Sequence, residues 1–298
     1  MPSVDHAPEH DRERDQERDE DRDFDLSGHV IGQLGLHVAE RDGERHLDLD
    51  LVPLHLDDDG QVGFGVLGVF LDLASSQPPE MHRVGPWVHA DITIHRLRAP
   101  RGTTLRTAPR MARMGRRSGI VEIEVHDDLG VHVARSVQEV VFPQGAPRAE
   151  VHDDADADDE GRERFLQWFQ GTCRLAGPLP EVLGVRRGGD DGGRAGWTMP
   201  LSELGRNGFG ALHGGSALSL VDAAAAGVVA EQIGAPARTL NAAVRYLAPG
   251  MQGPFRAVPR LVGHVGSAAT VVVEVRDTGA EDRLIILADA VVATEGAA

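Results

Sequence analysis

Hydrophobic and polar residues follow the same succession in the two halves of the chain. Residues 47–51 alternate between Leu and Asp, with the period of two that is typical of a half-buried strand. A glycine-rich turn follows, and then an apolar segment over 66–77, which stops at two prolines and which we predict to be a helix. The second half repeats this order, with a predicted helix over 216–233 that stops near Gly234 and Pro236.

Alternating segments come after each predicted helix. In the first half they read HADITIHRL, LRTAPRMARM, SGIVEIEVHD and VARSVQEVVF, and in the second half TLNAAVRYL, FRAVPRLVGH, AATVVVEVRD and LIILADAVVA. One helix followed by consecutive strands predicts an α+β fold, in which an antiparallel sheet wraps a long central helix. That arrangement is the hotdog fold, so we predict two tandem hotdog modules.

An internal repeat supports the prediction of two modules. Shifting the sequence by 150 residues superimposes the middle of each half without a gap, and Asp72 then falls on Asp222. The other identical pairs are Gly65/Gly215, Ala74/Ala224, Leu97/Leu247, Arg106/Arg256, Pro109/Pro259, Arg110/Arg260, Val121/Val271, Glu124/Glu274, Val125/Val275 and Asp127/Asp277. Because the order of predicted elements agrees as well, we expect the modules to be related copies.

The net charge of −17 is concentrated in two segments. Residues 1–26 contain eleven acidic residues and four Arg, and residues 147–164 contain eight acidic residues and three Arg. Such runs are typical of solvated, disordered segments, and the negative field disfavours nucleic acid as a partner. We therefore predict a disordered acidic tail over 1–28 and an acidic linker over 144–163. These segments delimit module 1 over 29–143 and module 2 over 164–298. We also predict a short helix over 163–171.

Compartment and membrane signals are weak. The acidic N-terminal segment lacks the apolar stretch of a signal peptide. The longest apolar run, 214–230, is interrupted by Asp222 and is too short to span a bilayer comfortably, so we predict a buried helix and no membrane span. Cys173 is the only cysteine, which excludes a disulfide framework and a cysteine-rich metal site. We expect a cytoplasmic protein.

Candidate chemistry is concentrated in the segment RNGFGALHGGSALSLVDAAAAG. It places Asn207, His213, Gly214 and Gly215 before the second predicted helix and Asp222 within it. Backbone N–H groups at a helix N-terminus lack intrahelical partners and carry the positive end of the helix dipole. Such donors would stabilise the oxyanion that forms when a thioester carbonyl is attacked. Burying an unpaired carboxylate is costly, which favours a functional Asp222, whereas the Asn could instead cap a turn.

This segment resembles the phenylacetyl-CoA thioesterase type of the hotdog superfamily, which also includes 4-hydroxybenzoyl-CoA thioesterase. The shared pattern is Asn, His-Gly-Gly, a helical Asp and then a strand that ends in Tyr-Leu-x-Pro, which is found here at 246–249. The resemblance covers roughly 205–295 well and 63–142 faintly. It implies hydrolysis of an acyl-CoA thioester to free acid and CoA, without a metal or cofactor.

The resemblance also implies a role for each residue of the motif. The Gly214 amide would form the oxyanion hole, and Asn207 would hold the attacking water or the thioester. Asp222 would act as general base or nucleophile, with Thr239 at the start of the next strand supporting it. His213 would shape the turn.

The first half departs from this pattern. It keeps Asp72 on its predicted helix, but Gly63 stands where the motif has histidine, and we expect a loop about three residues shorter. In the family that the chain resembles, the glycine loop and the carboxylate of one site come from different modules. If the modules pair within this chain, Asn207 and Gly214 would face Asp72, and Asp222 would face a degenerate loop. We therefore predict one competent and one vestigial site per chain.

A basic segment could supply further substrate contacts. Residues 96–117 contain eight Arg and no acidic residue, so they could meet the phosphates of CoA or simply solvate the outer face of strands. The predicted substrate-binding residues are Gly215, Arg106, Arg110, Arg256 and Arg260.

Other functions remain as alternatives. The degenerate first half is compatible with a non-catalytic protein that binds acyl-CoA or another acyl ligand. A hotdog hydratase is disfavoured because Asn207 has neither a preceding Asp nor a following Pro, and no Gly-x-Ser-x-Gly elbow supports a serine hydrolase. His89, Asp91 and His95 alternate on a predicted strand, which is poor support for a metal site. The acyl group is left open, and a homodimer is compatible with the fold.

Overall fold

The computed structural model describes residues 27–41, 44–78, 80–81, 87–142, 169, 171–188 and 196–294. The predicted acidic tail, the acidic linker and the helix predicted over 163–171 lie outside the described residues, apart from residues 27–28, 169 and 171. The predicted module boundaries therefore stay predictions.

Within the described residues, the fold consists of two long helices, two short helices of four residues each and twelve strands. The helices are α1 (Val30–Gln33), α2 (Phe64–Ala74), α3 (Leu179–Val182) and α4 (Gly214–Ile233), with a 3₁₀ turn at Pro53–His55. The strands are β1 (Leu36–Arg41), β2 (Glu44–Asp50), β3 (Val88–Arg96), β4 (Thr104–Met114), β5 (Ser118–Asp127), β6 (His132–Val141), β7 (Arg186–Gly188), β8 (Gly196–Met199), β9 (Ala237–Tyr246), β10 (Phe255–Val265), β11 (Ala268–Asp277) and β12 (Arg283–Thr294).

Both predicted helices are present, with small differences at their ends. α4 ends at Ile233, and the following residue, Gly234, caps it with a φ of 77°, the left-handed conformation that glycine adopts most readily. α2 ends at Ala74, before the prolines that predicted its end, and the Ser75 hydroxyl donates a hydrogen bond back to the carbonyl of Asp72. α4 is apolar enough to span a membrane by length and composition, yet more than half of it is buried within the fold. The prediction of a buried helix is confirmed.

The strands form one antiparallel sheet in the order β1-β2-β4-β5-β6-β3-β9-β12-β11-β10-β8-β7. Each half contributes six neighbouring strands in mirrored order, and β3 pairs with β9 at the middle. Thr93 of β3 faces Ala243 of β9, which is the residue 150 positions further along the chain. The two halves of the sequence repeat are therefore related in the structure by a pseudo-two-fold axis. This axis passes between Thr93 and Ala243.

The helices α2 and α4 pack against each other as well as against the sheet. A Cβ atom at position 215 would lie 2.5 Å from the Cα and the N of Val69, which is too close for any side chain. The symmetry-related contact has Gly65 against Ser219. Because Gly215 brings α4 onto the backbone of α2, the N-terminus of one module's helix reaches the middle of the other's.

The loops before the two helices have the same length. In module 2 the Asn207 N–H donates to the Ala211 carbonyl, and in module 1 the Asp57 N–H donates to the Gln61 carbonyl, again 150 positions apart. The bridge between Leu56 and Val62 likewise matches the bridge between Arg206 and Leu212. The expectation of a shorter loop in the first half is wrong, because the difference between the loops lies in their side chains and not in their backbones.

Candidate active site

A cavity of about 460 Å³ lies where the loop before α4 meets α2, β3 and β9. Most of the side chains that line it are apolar, among them Ile31, Trp87 and Phe209. Its polar lining residues are Asp72, His89, Asn207, His213 and Tyr246. Because Asp72 and His89 belong to module 1 and the other three to module 2, both modules form this site.

Asp72 is the carboxylate of the cavity. Its Oδ2 accepts a hydrogen bond of 3.1 Å from the Gly215 N–H, and its Oδ1 lies 2.7 Å from Nδ1 of His89. Burial on its own would raise the pKa of Asp72, but the charges of His89 and His213 and the hydrogen bonds from His89 and Gly215 hold it well below the ordinary value. Asp72 is therefore ionised at neutral pH.

His213 is the N-cap residue of α4. Its Nδ1 accepts a hydrogen bond of 3.1 Å from the Gly215 N–H, and the same Nδ1 lies 3.4 Å from Oδ2 of Asp72. Burial lowers the pKa of His213, although the charge of Asp72 acts in the opposite direction. Because Nδ1 accepts the Gly215 N–H, as a capping group must, that nitrogen carries no proton. The geometry favours a role in shaping the turn.

Gly214 is the first residue of α4, so its N–H has no intrahelical partner. Within the described part of the chain it donates to no protein acceptor, while its carbonyl accepts a hydrogen bond of 3.0 Å from the Tyr246 hydroxyl. Burial and the charges of Asp72 and Asp91 raise the pKa of Tyr246, which keeps the hydroxyl a donor. The Gly214 peptide is therefore held in place with its N–H available to an anion.

Asn207 stabilises its own turn with one side of its amide. Its Oδ1 accepts hydrogen bonds from the N–H groups of Phe209 at 2.9 Å and Ala211 at 3.1 Å. Two backbone donors identify this atom as the oxygen, so the Nδ2 group lies on the other side of the amide. The residue lines the cavity and retains an NH₂ group for a ligand. Capping the turn and binding a ligand are thus compatible roles.

A second set of residues surrounds Asp222, at positions 150 away from those of the cavity. Asp57 replaces Asn207, Phe64 replaces Gly214, and Arg96 replaces Tyr246. The buried Arg96 guanidinium donates to Asp57, to the Val62 carbonyl at 3.2 Å and to the Thr239 carbonyl at 2.7 Å. Phe64 is fully buried, so a large apolar side chain lies within the fold at the position where the other site has a glycine.

The mouths of the two related sites differ in the same way. Phe209 and Val88 line the open cavity, and both are well exposed. The residues 150 positions away are Asp59 and Arg238, which form an ion pair of 2.9 Å. At the site around Asp222, side chains occupy the interior and an ion pair lies at the entrance. The site around Asp72 instead has an open cavity with an apolar entrance.

Asp222 itself is a partly buried carboxylate in an apolar helix. Burial raises its pKa to about 6, against the opposing effects of Arg96 and the Thr239 hydroxyl. That hydroxyl is buried beside Asp222 and has no hydrogen-bond partner of good geometry among the described residues. Thr239 is thus placed where the resemblance implies a supporting residue, but it lies at the filled site.

The raised pKa of Asp222 predicts a pH-dependent stability. The group has an ordinary value of 3.8 in the unfolded chain and about 6 in the folded one, so its cost to folding grows as the pH rises from 3.8 to 6. Replacing Asp222 with Asn should therefore stabilise the protein by about 1 kcal/mol more at pH 8 than at pH 5. Urea denaturation at the two pH values measures this difference. Asp289→Asn, at a half-exposed position, is the control and should show no such gain.

The predicted arginines lie on β4 and β10, away from the lining of the cavity. Arg110 pairs with Glu122, and Arg256 pairs with Asp282 at 3.1 Å. Gly215, which we predicted to bind substrate, donates its N–H to Asp72 and His213 instead. The role of Arg106, Arg110, Arg256 and Arg260 in binding phosphate stays a prediction.

His89 was missed as a site residue, although the repeat contains a signal for it. It lies 150 positions before Thr239, at the position where the resemblance implies the residue that supports the carboxylate. It was considered in the sequence only together with Asp91 and His95, as a metal site with poor support, and its contact with Asp72 of α2 was not predicted.

The model of the thioesterase superfamily matches residues 209–282, which span the end of the glycine loop, α4 and strands β9 to β11. No curated protein matches the chain at a significant level.

Solved structures resemble the whole chain. A TesB protein from Mycobacterium avium subspecies paratuberculosis is 11% identical, with a TM-score of 0.61, 90% of this chain covered and 98% of that one. A protein of unknown function with a hotdog fold, from Alicyclobacillus acidocaldarius, has a TM-score of 0.61 at 14% identity, with the same coverage. The acyl-CoA thioesterase II TesB2 of Mycobacterium marinum has a TM-score of 0.56 at 12% identity, with 89% and 96% covered. The predicted tandem hotdog fold is confirmed, and the likeness to the phenylacetyl-CoA type stays a prediction.

Proposed function

We propose that this protein hydrolyses an acyl-CoA thioester to the free acid and CoA at one site per chain. The observation that carries the proposal is that the Asp72 carboxylate and Gly214, whose N–H has no acceptor among the described residues, line the same mostly apolar cavity. The match of module 2 to the thioesterase superfamily supports it. The filled site around Asp222 supports the limit of one site.

The arrangement can perform either of two routes. In the first, Asp72 accepts a proton from water while the water oxygen bonds to the thioester carbon. In the second, Asp72 attacks that carbon itself and forms an anhydride, which water then hydrolyses. Either way, negative charge develops on the carbonyl oxygen, where the Gly214 N–H and the positive end of α4 stabilise it. In the first route the carbon–sulfur bond then breaks, and the leaving thiolate takes up the proton that Asp72 accepted from the water. In the second route the bond breaks as the anhydride forms, and the thiolate is protonated by the water that later hydrolyses the anhydride.

The proposed activity is tested with a panel of short, long and aromatic acyl-CoA esters, in an assay that detects the free thiol released by hydrolysis. Since the cavity is mostly apolar, we expect turnover to rise with the apolar surface of the acyl group until the cavity is filled. Absence of thiol release from every ester, with the protein folded, would contradict the proposal.

A binding protein without turnover is the second candidate. Both oxygens of Asp72 accept hydrogen bonds from protein groups, and its low pKa makes it a weak base. Tight binding of an acyl-CoA ester that is recovered intact after long incubation would favour this candidate over hydrolysis.

The Asn207 side chain allows a test of one contact without disturbing the loop. In Asn207→Asp an oxygen can still accept from the Phe209 and Ala211 N–H groups, but the NH₂ donor is lost. We expect kcat/KM to fall roughly ten- to a hundredfold while the thermal midpoint changes little. Steady-state kinetics and a thermal melt measure the two quantities. A lower midpoint with unchanged activity would show that Asn207 serves only the turn.

A further inference from the structure

The carboxylates of the two related sites have different neighbours on the following strand. Thr239 of β9 lies beside Asp222, and His89 of β3, 150 positions earlier, contacts Asp72. The His89 side chain is 8% exposed, and the Trp87 ring packs edge-on against it with 5.1 Å between ring centroids. The open site thus replaces a neutral hydroxyl with an imidazole at its carboxylate.

Hydrogen bonding assigns the protons of His89. The Ser75 hydroxyl donates to the Asp72 carbonyl at 2.6 Å, and since a carbonyl can only accept, the hydroxyl proton is committed there. At the 3.1 Å contact with Nε2 of His89, the Ser75 oxygen must therefore accept, so Nε2 carries a proton. Nδ1, at 2.7 Å from Oδ1 of Asp72, faces an acceptor as well. Both ring nitrogens serve as donors, and one proton lies between the ring and the carboxylate.

We propose that His89 is the positioning residue of the open site: held by Ser75, it binds Oδ1 of Asp72 and leaves Oδ2 directed at the start of α4. The expected effect of His89 on catalysis rests on the proposed function, whereas its effect on the position of Asp72 rests only on the contacts of His89. Ser75 has a task as well, because this buried hydroxyl is what orients the ring.

The charged surroundings of Asp72 are consistent with this role. His89 faces it from β3, His213 from the loop before α4, and Tyr246 from β9, with Asp91 near Tyr246. α2 itself contains no other titratable side chain. Of these groups, His89 makes the largest contribution to lowering the pKa of Asp72. At Asp222, where the neighbour is a threonine, burial raises the pKa to about 6.

Replacing His89 with Thr, the residue of the other site, tests the proposal. The depressed pKa of Asp72 keeps the wild-type carboxylate ionised as the pH falls, so kcat/KM should change little between pH 7.5 and pH 5. In His89→Thr the pKa should approach the value of about 6 found for Asp222, and about a tenfold loss should appear between these pH values. His95→Thr, on the same strand but outside the cavity, should keep the wild-type profile. An unchanged profile in His89→Thr would overturn the proposal.

Two further measurements separate this inference from the proposed function and from misfolding. The carbon-13 carboxyl signal of Asp72, assigned by its loss in Asp72→Asn, should titrate at higher pH in His89→Thr than in wild type, whether or not any ester is hydrolysed. In His89→Gln the amide can donate to Asp72 without a charge, so its carboxyl should titrate between those two. If the Asp72 signal titrates at the same pH in all three proteins, the positioning role is refuted even where hydrolysis is observed. If it shifts but no ester is cleaved, only the proposed function fails.

Discussion

Replacing Asp72 with Asn should lower kcat/KM for thioester hydrolysis by about a thousandfold or more, whereas Asp222→Asn should keep most of the activity. Asp72 lies in the open cavity with Gly214 and Asn207, so its loss removes the base or nucleophile of the site. Asp222 faces Arg96 and Asp57 in a site that side chains fill. Steady-state kinetics of the two isosteric variants measure the difference.

The two variants are matched controls for each other. Both remove one carboxylate from the equivalent position of a central helix, and both positions are related by the 150-residue repeat. A general disturbance of the helices should therefore affect the two proteins alike, and circular dichroism would reveal it. A large loss in Asp222→Asn together with an active Asp72→Asn would refute the assembly of the site from both modules.

The open site could be predicted in outline because its parts carry local signals. The sequence His213-Gly214-Gly215 stands at a predicted helix start, and Asp72 interrupts an apolar helix. Each signal depends on a few neighbouring residues and on the rules of helix ends. Bringing Asp72 to Gly214 also required the resemblance to a family whose sites form between paired modules, and the assumption that the modules pair within this chain.

The filled site could not be predicted in the same way. Arg96 belongs to a segment of eight arginines that suggested an exposed basic face, yet its side chain is 1% exposed. The alternation of Ile92, Ile94 and Arg96 places it on the buried face of β3, and that signal was available. Which acceptors would neutralise it there depends on Asp57 and on the backbone of β9, which only the packing of the two modules brings together.

The two adjacent glycines of the motif should fail in different ways when each is replaced with Ala. A methyl group at 214 would lie 3.2 Å from the Tyr246 hydroxyl and 3.3 Å from Oδ2 of Asp72, a contact that small shifts can relieve. It would occupy the space between the carboxylate and the amide, where the reacting carbonyl has to lie. We expect kcat/KM of Gly214→Ala to fall roughly a hundred- to a thousandfold with little change in stability.

Gly215→Ala should instead damage the fold. Its methyl group would lie 2.5 Å from two backbone atoms of Val69, which cannot move without separating α2 from α4. We expect the free energy of unfolding to fall by about 2 kcal/mol or more, as is usual for overpacking a core. Gly263→Ala on β10, where an added Cβ meets nothing within 4 Å, is the control for both variants in kinetics and urea denaturation. A stable and active Gly214→Ala would mean that the substrate carbonyl binds elsewhere. Gly214 is required only if the substrate occupies the space next to its Cα.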